Sequence, residues 1–231
     1  MMTHPAVMIT AGGTREYLDG VRFLGNVSSG ETGVAIAEYL AAHGCKITCL
    51  CAADIRKPAP QVRMRCFHSF SDLHHILLEE LRHQNFTAVI HAAAVSDFSI
   101  DYLTVDGERR EPGCSGKLSS AAPPVIHLKS NPKLISQIKS FAGRTEPLVI
   151  GFKLTNTPDN SERAHAVQHL FAQGGIDFVV QNDLAEIDRL TGLHYCKIYD
   201  KTGLPVAESQ TKEELARALL QIIWPQHLGA K

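Results

Sequence analysis

The chain has 231 residues, 44% of them hydrophobic and 20% charged, with a formal net charge of −1. That length suits one domain with a sizeable core, and the near-neutral balance excludes the basic footprint of a nucleic-acid or anionic-membrane binder. No apolar run reaches the roughly 18 residues of a membrane-spanning helix, and no basic start with an apolar stretch marks a secretion signal.

Residues 6–10 form an apolar run, Ala-Val-Met-Ile-Thr, that predicts a first strand ending in Gly12-Gly13-Thr14. A polar excursion follows, and the chain enters a helix at Ser28-Ser29-Gly30. A strand, a glycine turn and a helix start together form the arrangement that holds phosphates in open α/β sheets. The third glycine of a dinucleotide fingerprint is missing, so the segment suggests a nucleotide site of another kind.

The helix spans 30–43, with Val34, Ile36, Ala37, Leu40 and Ala41 apolar and Gly44 as its stop. A second strand covers 46–52. It carries Cys49 and Cys51, whose side chains share one face. The six cysteines form no Cys-x-x-Cys pair and read as buried reduced thiols, which predicts a cytoplasmic compartment. A helix over 71–83, capped by Ser69 or Ser71, aligns Leu73, Ile76, Leu77 and Leu81. Its adjacent His74 and His75 cannot share a metal from one helix face, and no zinc site is expected.

A third strand, 88–93, runs into Ala-Val-Ser-Asp. Residues 98–124 show charges, glycines and prolines without a period, and predict a long mobile loop carrying Lys117. Then come a helix (132–141), a strand (148–152), a helix (161–173) closed by Gly174-Gly175, and a fifth strand (178–180) ending in Gln181-Asn182-Asp183. A hairpin pairs 197–199 with 204–206, and a last helix over 211–223 starts with a Thr211/Glu214 capping box. The alternation predicts a single domain over 1–231: a three-layer α/β fold with a mostly parallel, Rossmann-like sheet, helices on both faces and a small hairpin extension.

Ligands in such sheets bind beyond the carboxyl ends of the strands. Those ends offer Gly12, Gly13 and Thr14, then Ala93 to Asp97, then Phe152 and Lys153, then Asn182 and Asp183. Ser28, Ser29 and Gly30 can cradle an anion or simply cap a helix. Asn26 can hold a turn, and Arg22 can be a surface cation. Asp97 can bind a nucleotide hydroxyl, a base edge or a metal, or hold its own loop. Phe152 can stack on a base or belong to the core, and Lys153 beside it can supply charge. Lys117 suits a cation that closes over developing phosphate charge.

The ordered set ITAGGTRE, VRFLGN-x-SSG, AAAVSDF, GKLSS, SNPKLI, GFKL and QNDL resembles the phosphopantothenate–cysteine ligase family over nearly the whole chain. The resemblance implies a Mg²⁺-dependent ligation. CTP, or ATP in some members, activates the carboxylate of 4′-phosphopantothenate as an acyl-nucleotidylate, and the amine of cysteine then displaces the nucleoside monophosphate. It implies catalytic roles for Lys117, Asn26 and Arg22, and substrate contacts from Asn26, Arg22 and Asn182. It implies nucleotide contacts from Gly12, Gly13, Thr14, Ser28, Ser29, Gly30, Ala93, Asp97, Asn131, Pro132, Phe152 and Lys153. It also implies a homodimer of the stand-alone type, without the flavin-dependent decarboxylase domain; the metal ligands stay undetermined. Glu31 and the Lys117-Leu118-Ser119-Ser120 loop depart from the bacterial fusion enzymes, and these leave the nucleotide open between CTP and ATP.

A short-chain NAD(P) oxidoreductase would need Tyr-x-x-x-Lys, and none of the five tyrosines has a lysine four residues on. A non-catalytic nucleotide-binding protein of the same fold is the other rival.

Overall fold

A computed structural model describes residues 4–113, 116–119, 123–188 and 190–228; Cys114, Ser120 and the other intervening positions lie outside the described residues. The chain runs β1 (Ala6–Ala11), β2 (Arg15–Tyr17), β3 (Phe23–Gly25), α1 (Glu31–Ala42), β4 (Lys46–Ala52), β5 (Arg63–Phe67), α2 (Phe70–His83) and β6 (Ala88–His91). It continues with β7 (Phe98–Val105), β8 (Glu108–Arg110), β9 (Val125–Ser130), α3 (Leu134–Phe141), β10 (Leu148–Thr155), α4 (Asn160–Ala172), β11 (Phe178–Asp188), β12 (Leu193–Asp200), β13 (Pro205–Ser209) and α5 (Lys212–Ile223).

Eight strands build the main sheet in the order β13-β12-β11-β10-β6-β1-β4-β5. All neighbours pair in parallel except β12, which runs against both β11 and β13. The expected hairpin is β12–β13, which extends the parallel sheet by an antiparallel edge. Strand order reverses between β1 and β6, because the chain first builds outward through β4 and β5 and then returns. Such a switch point opens a crevice at the carboxyl ends of its two strands.

Both sheet faces are covered, which explains the continuous apolar runs. Val7, Ile9 and Ala11 of β1 pack with α1 and α5, while Met8 packs on the other face with α2, α3 and α4. Alternate residues of one strand thus feed two separate cores. Ser69 caps α2: it accepts the Asp72 N–H, and Asp72 in turn accepts the Ser69 N–H. At the start of α5, Thr211 accepts the Glu214 N–H, but the Glu214 carboxylate takes the N–H of Gln210.

The first half of the segment expected as a loop, 98–124, is mostly strand. β7, β8 and β9 form a second, antiparallel sheet in the order β8-β7-β9. Its period was hidden by a bulge between Ile100 and Tyr102. The extra residue lets Ile100, Leu103 and Val105 all point inward although their spacing is uneven. Strands β2, β3 and β5 were also not foreseen. β2 and β3 have three residues each, and β5 is an edge strand carrying Arg63 and Arg65. Both arginines bind the buried Glu80 carboxylate of α2, at 2.6 and 2.8 Å. Burial pushes that carboxyl up, but the two guanidiniums outweigh it and hold it below its usual value. Cys45, Cys49, Cys51 and Cys196 are buried and free, as the sequence suggests, whereas Cys66 on β5 is exposed. Among the described residues no helix is long and apolar enough to cross a membrane.

At the end of β6, burial pushes the His91 imidazole down to about 4. Its Nδ1 lies 3.0 Å from the Thr10 hydroxyl, which also accepts the Ala93 N–H at 3.0 Å. A histidine lowered from its ordinary value of about 6.5 binds fewer protons folded than unfolded between those limits. Its contribution is therefore complete above about pH 6.5 and is lost as pH falls toward 4, by up to about 3 kcal/mol. Denaturant titrations from pH 4 to 8 should show this slope, and His91→Gln should remove it; a slope unchanged in the variant would assign it to other groups.

Candidate functional site

The crevice is assembled by hydrogen bonds that prolong the β1–β6 seam beyond the sheet. Ala94 N–H donates to Gly12 O at 2.8 Å, and Thr14 N–H donates to Ala94 O at 3.2 Å. Thr14 is fully buried, and its hydroxyl accepts the Ser96 N–H at 2.9 Å. Asn26, just past β3, donates its amide to Val95 O at 3.2 Å. A side chain at Gly13 would meet Asn26 O at 2.6 Å, so only glycine allows this approach. The structure thus brings together Gly12, Gly13, Asn26 and the segment from Ala93 to Asp97.

The start of α1 reaches the same place. Gly30 stands at the N-cap with φ 68°, and a Cβ there would lie 2.4 Å from Ile55 Cδ1 and 3.0 Å from Gly12 N. The expected serine cap is replaced by this left-handed glycine. Ser29 accepts the Glu31 N–H at a long 3.4 Å, and Ser28 and Ser29 line a cavity of about 470 Å³. Asp54, Ile55 and Arg56 from the loop after β4, and Lys212 from α5, complete that cavity. Lys212 pairs with Glu31 at 2.6 Å, and Arg56 pairs with Glu38 at 2.7 Å. Sequence reasoning missed Lys212 and Arg56, since only packing of α5 on α1 and the path of the β4 loop bring them there.

The other expected residues divide. Asp97 is exposed and pairs with Lys133 at 2.5 Å. Asn131 donates its N–H to Asp97 O and its amide to Ser96 O, joining the start of β7 to the turn at Pro132 that leads into α3. Phe152 and Lys153 lie inside β10, which runs three residues past its expected end. Successive strand residues face opposite sides. Phe152 therefore packs toward α1 and α5, with Lys153 on the α4 face. They do not stand side by side before one ligand. Asn182 is buried on the Phe152 side, one residue from Gln181 and Asp183 on the α4 face. Asp183, fully buried, accepts from Thr155 Oγ1 at 2.6 Å and from the Thr157 and Ala185 N–H groups at 3.0 Å. Burial raises its carboxyl, but these hydrogen bonds outweigh that and lower it.

The β2–β3 hairpin carries Arg22 and packs beside the segment that carries Lys117. Asp19, buried in the hairpin turn, accepts the Val21 and Arg22 N–H groups, both at 2.8 Å. Its Oδ2 takes Arg22 Nε at 3.0 Å, Arg22 Nη2 at 2.5 Å and the Leu118 N–H at 3.0 Å. The Arg22 guanidinium and then the Leu118 N–H hold this carboxyl well below the usual range, against the effect of burial. Arg22 also donates to Leu118 O at 3.1 Å. Lys117 itself is exposed. Asp19 was not foreseen, although an Asp opening an Asp-Gly-Val-Arg turn is a signal for such side-chain-to-backbone bonds.

The family described as DNA/pantothenate metabolism flavoprotein C-terminal domain matches residues 2–226. The chain belongs to this family. It is 27% identical over 216 residues to the coenzyme A biosynthesis bifunctional protein CoaBC of Methanocaldococcus jannaschii, covering 93% of this chain and 49% of the relative. It is 30% identical over 178 residues to the protein of the same name in Thermococcus kodakarensis, covering 77% and 41%. The chain thus spans less than half the length of these curated relatives. Among solved structures, a DNA/pantothenate metabolism flavoprotein from Streptococcus pneumoniae matches with a TM-score of 0.82 and 27% identity, over 96% of this chain and 100% of the other. The C-terminal domain of a CoaBC protein matches with a TM-score of 0.72 and 25% identity, over 95% and 93%. A mutant of Cab2 solved with phosphopantothenate-cysteine shares the fold at 17% identity, with a TM-score of 0.73 over 97% and 87%.

In this family member, Gly30 is the point where helix, strand end and β4 loop converge. Gly30→Ala must place a Cβ against Ile55 and adopt a left-handed backbone, a conformation that costs an L-residue about 1–2 kcal/mol. Chemical denaturation should show at least that loss. Adding Ile55→Ala should recover only the steric part; full recovery would mean that the backbone conformation carries no cost.

Proposed function

We propose that this domain is a phosphopantothenate–cysteine ligase. The observation that carries the reading is the convergence of Gly12, Gly13, Asn26 and Ala93 to Asp97 at the switch point of a family-matched fold. The CoaBC relatives are named for coenzyme A biosynthesis, and the Cab2 structure contains phosphopantothenate-cysteine.

In this reading the phosphopantothenate carboxylate attacks the α-phosphorus of a nucleoside triphosphate and pyrophosphate leaves. The cysteine amine then attacks the acyl carbon, the nucleoside monophosphate leaves, and the amine gives up a proton. Both steps develop negative charge on phosphate oxygens, so positioning and cations do most of the work. Lys117 supplies a cation from the strap at 116–119. Backbone N–H groups near Gly30 and the Ser28 and Ser29 hydroxyls receive phosphate. Among the described residues no group of three or more His, Cys, Asp or Glu side chains could hold a metal. In this reading Mg²⁺ would be held chiefly by the nucleotide phosphates and water, in keeping with its preference for them over all-protein cages. The nucleotide in this reading is CTP, with ATP the alternative that the assay below separates. A second copy of the chain would cover the apolar surface of the hairpin and small sheet, where Val27 is 99% exposed and Phe98 52%.

Pyrophosphate release with 4′-phosphopantothenate and Mg²⁺ tests the reading, comparing CTP with ATP, with and without cysteine. Release that requires phosphopantothenate is expected. Its absence, from folded protein that still binds a nucleotide, would refute the ligase. Lys117→Ala should lower turnover by about a hundredfold while nucleotide affinity stays within a few-fold, as expected for removal of a charge-stabilising group. Equal losses in turnover and affinity would make Lys117 a binding residue only.

A further inference from the structure

The strap at 116–119 lies between β8 and β9 of the small sheet, and its contacts fix it against the hairpin. Gly20 N–H donates to Gly116 O at 3.1 Å, and Gly113 N–H donates to Leu18 O at 3.3 Å. The Leu118 side chain packs on Leu18, Ile100 and Leu103. Between these contacts stands the Asp19 carboxylate. Its Oδ2 binds one strap group, the Leu118 N–H, and one hairpin group, the Arg22 guanidinium.

We propose that Asp19 is a positioning residue for the ligation: its carboxylate latches the strap onto the hairpin and so fixes both Lys117 and Arg22 toward the crevice. This rests on the reading of the chain as a ligase. The geometry accounts for why a carboxylate is needed. Oδ2 faces three donors at once, which no neutral side chain of that size can satisfy, because an amide would turn N–H groups toward N–H groups. The carboxylate is buried and charge-paired, so its bond to the strap is of the stronger, charge-assisted kind. Since Arg22 neutralises Asp19, the neighbouring Lys117 ammonium is not drawn onto it. Hairpin and crevice are continuous, because Asn26 follows β3 directly and holds Val95. A latch at Asp19 therefore registers the strap against the segment from Ala93 to Asp97.

Asp19→Asn is the direct test, read in two ways. Hydrogen exchange needs no substrate: the Leu118 amide should lose protection in the variant while amides of β1, β4 and β6 keep theirs. Unchanged protection at Leu118 would overturn the latch. In the pyrophosphate-release assay, the variant should lose about tenfold or more in kcat with nucleotide KM changed by less than about threefold. In a Lys117→Ala background the same change should cost clearly less than in the wild type, since the part of its effect that runs through Lys117 is already gone. Fully multiplicative losses would overturn the positioning of Lys117 by Asp19. If Asp19→Asn does not fold, Asp19→Glu keeps the charge and displaces the carboxylate by one methylene from the Leu118 N–H. It should reproduce the kcat loss, and wild-type kcat in that variant would equally overturn the proposal. A wild-type protein without phosphopantothenate-dependent release would refute the ligase reading alone, and the exchange experiment would still decide whether Asp19 holds the strap.

Discussion

The hydrogen bonds that carry the β1–β6 seam past the sheet are the constraint on which the rest depends. A parallel sheet whose strand order reverses has two loops leaving in opposite directions at one point. Left alone, those loops would splay and expose unpaired backbone groups. Here Gly12 O, Ala94 N–H and O, Thr14 N–H and Ser96 N–H are all paired across the gap. The crevice floor is thus an extension of the sheet with its own ladder, and its geometry is as fixed as the core beneath it. Gly13 makes room for Asn26, and Gly30 makes room for Gly12 and Ile55. The hairpin and the first helix are both registered against that floor.

Charge around the crevice is balanced internally. Lys212 meets Glu31, Arg56 meets Glu38, Lys133 meets Asp97 and Arg22 meets Asp19. Any anion entering the crevice must compete with carboxylates for most of these cations. The exposed pairs contribute little to stability and exchange readily. The Arg22–Asp19 pair differs because its carboxylate is buried and bound by backbone N–H groups as well, so it behaves as part of the scaffold. The site thus joins a rigid floor, exchangeable rim cations and one fixed ion pair beneath the Lys117 strap.

Much of the main sheet was legible because buried parallel strands must be apolar on both faces. The runs at β1, β4, β6, β10 and the start of β11 announce themselves in that way. Strand β5 did not, because an edge strand with Arg63 and Arg65 reaching for Glu80 reads as polar surface. Strands β2 and β3 are too short to show a period, and β7 lost its alternation to the bulge at Ile100–Tyr102. At the strand ends the sequence showed residue types but not their partners. Phe152 and Lys153 looked like a pair until the length of β10 put them on opposite faces. Asp97 looked available until Lys133, brought in by the turn into α3, took its charge.

By itself the sequence determined the α/β class, the five helices and most of the parallel strands. Apolar periodicity and capping residues are local properties that the chain carries wherever it goes. It also determined which segments end at the crevice, since each strand end is marked by glycine or polar residues. The tertiary structure alone decided which of those residues meet. That Asp19 binds Leu118, that Lys212 reaches Glu31 across 181 positions, and that Gly30 touches Gly12 follow from topology and packing. Contacts between residues so far apart are set by how strands order and helices stack, and no local pattern encodes them.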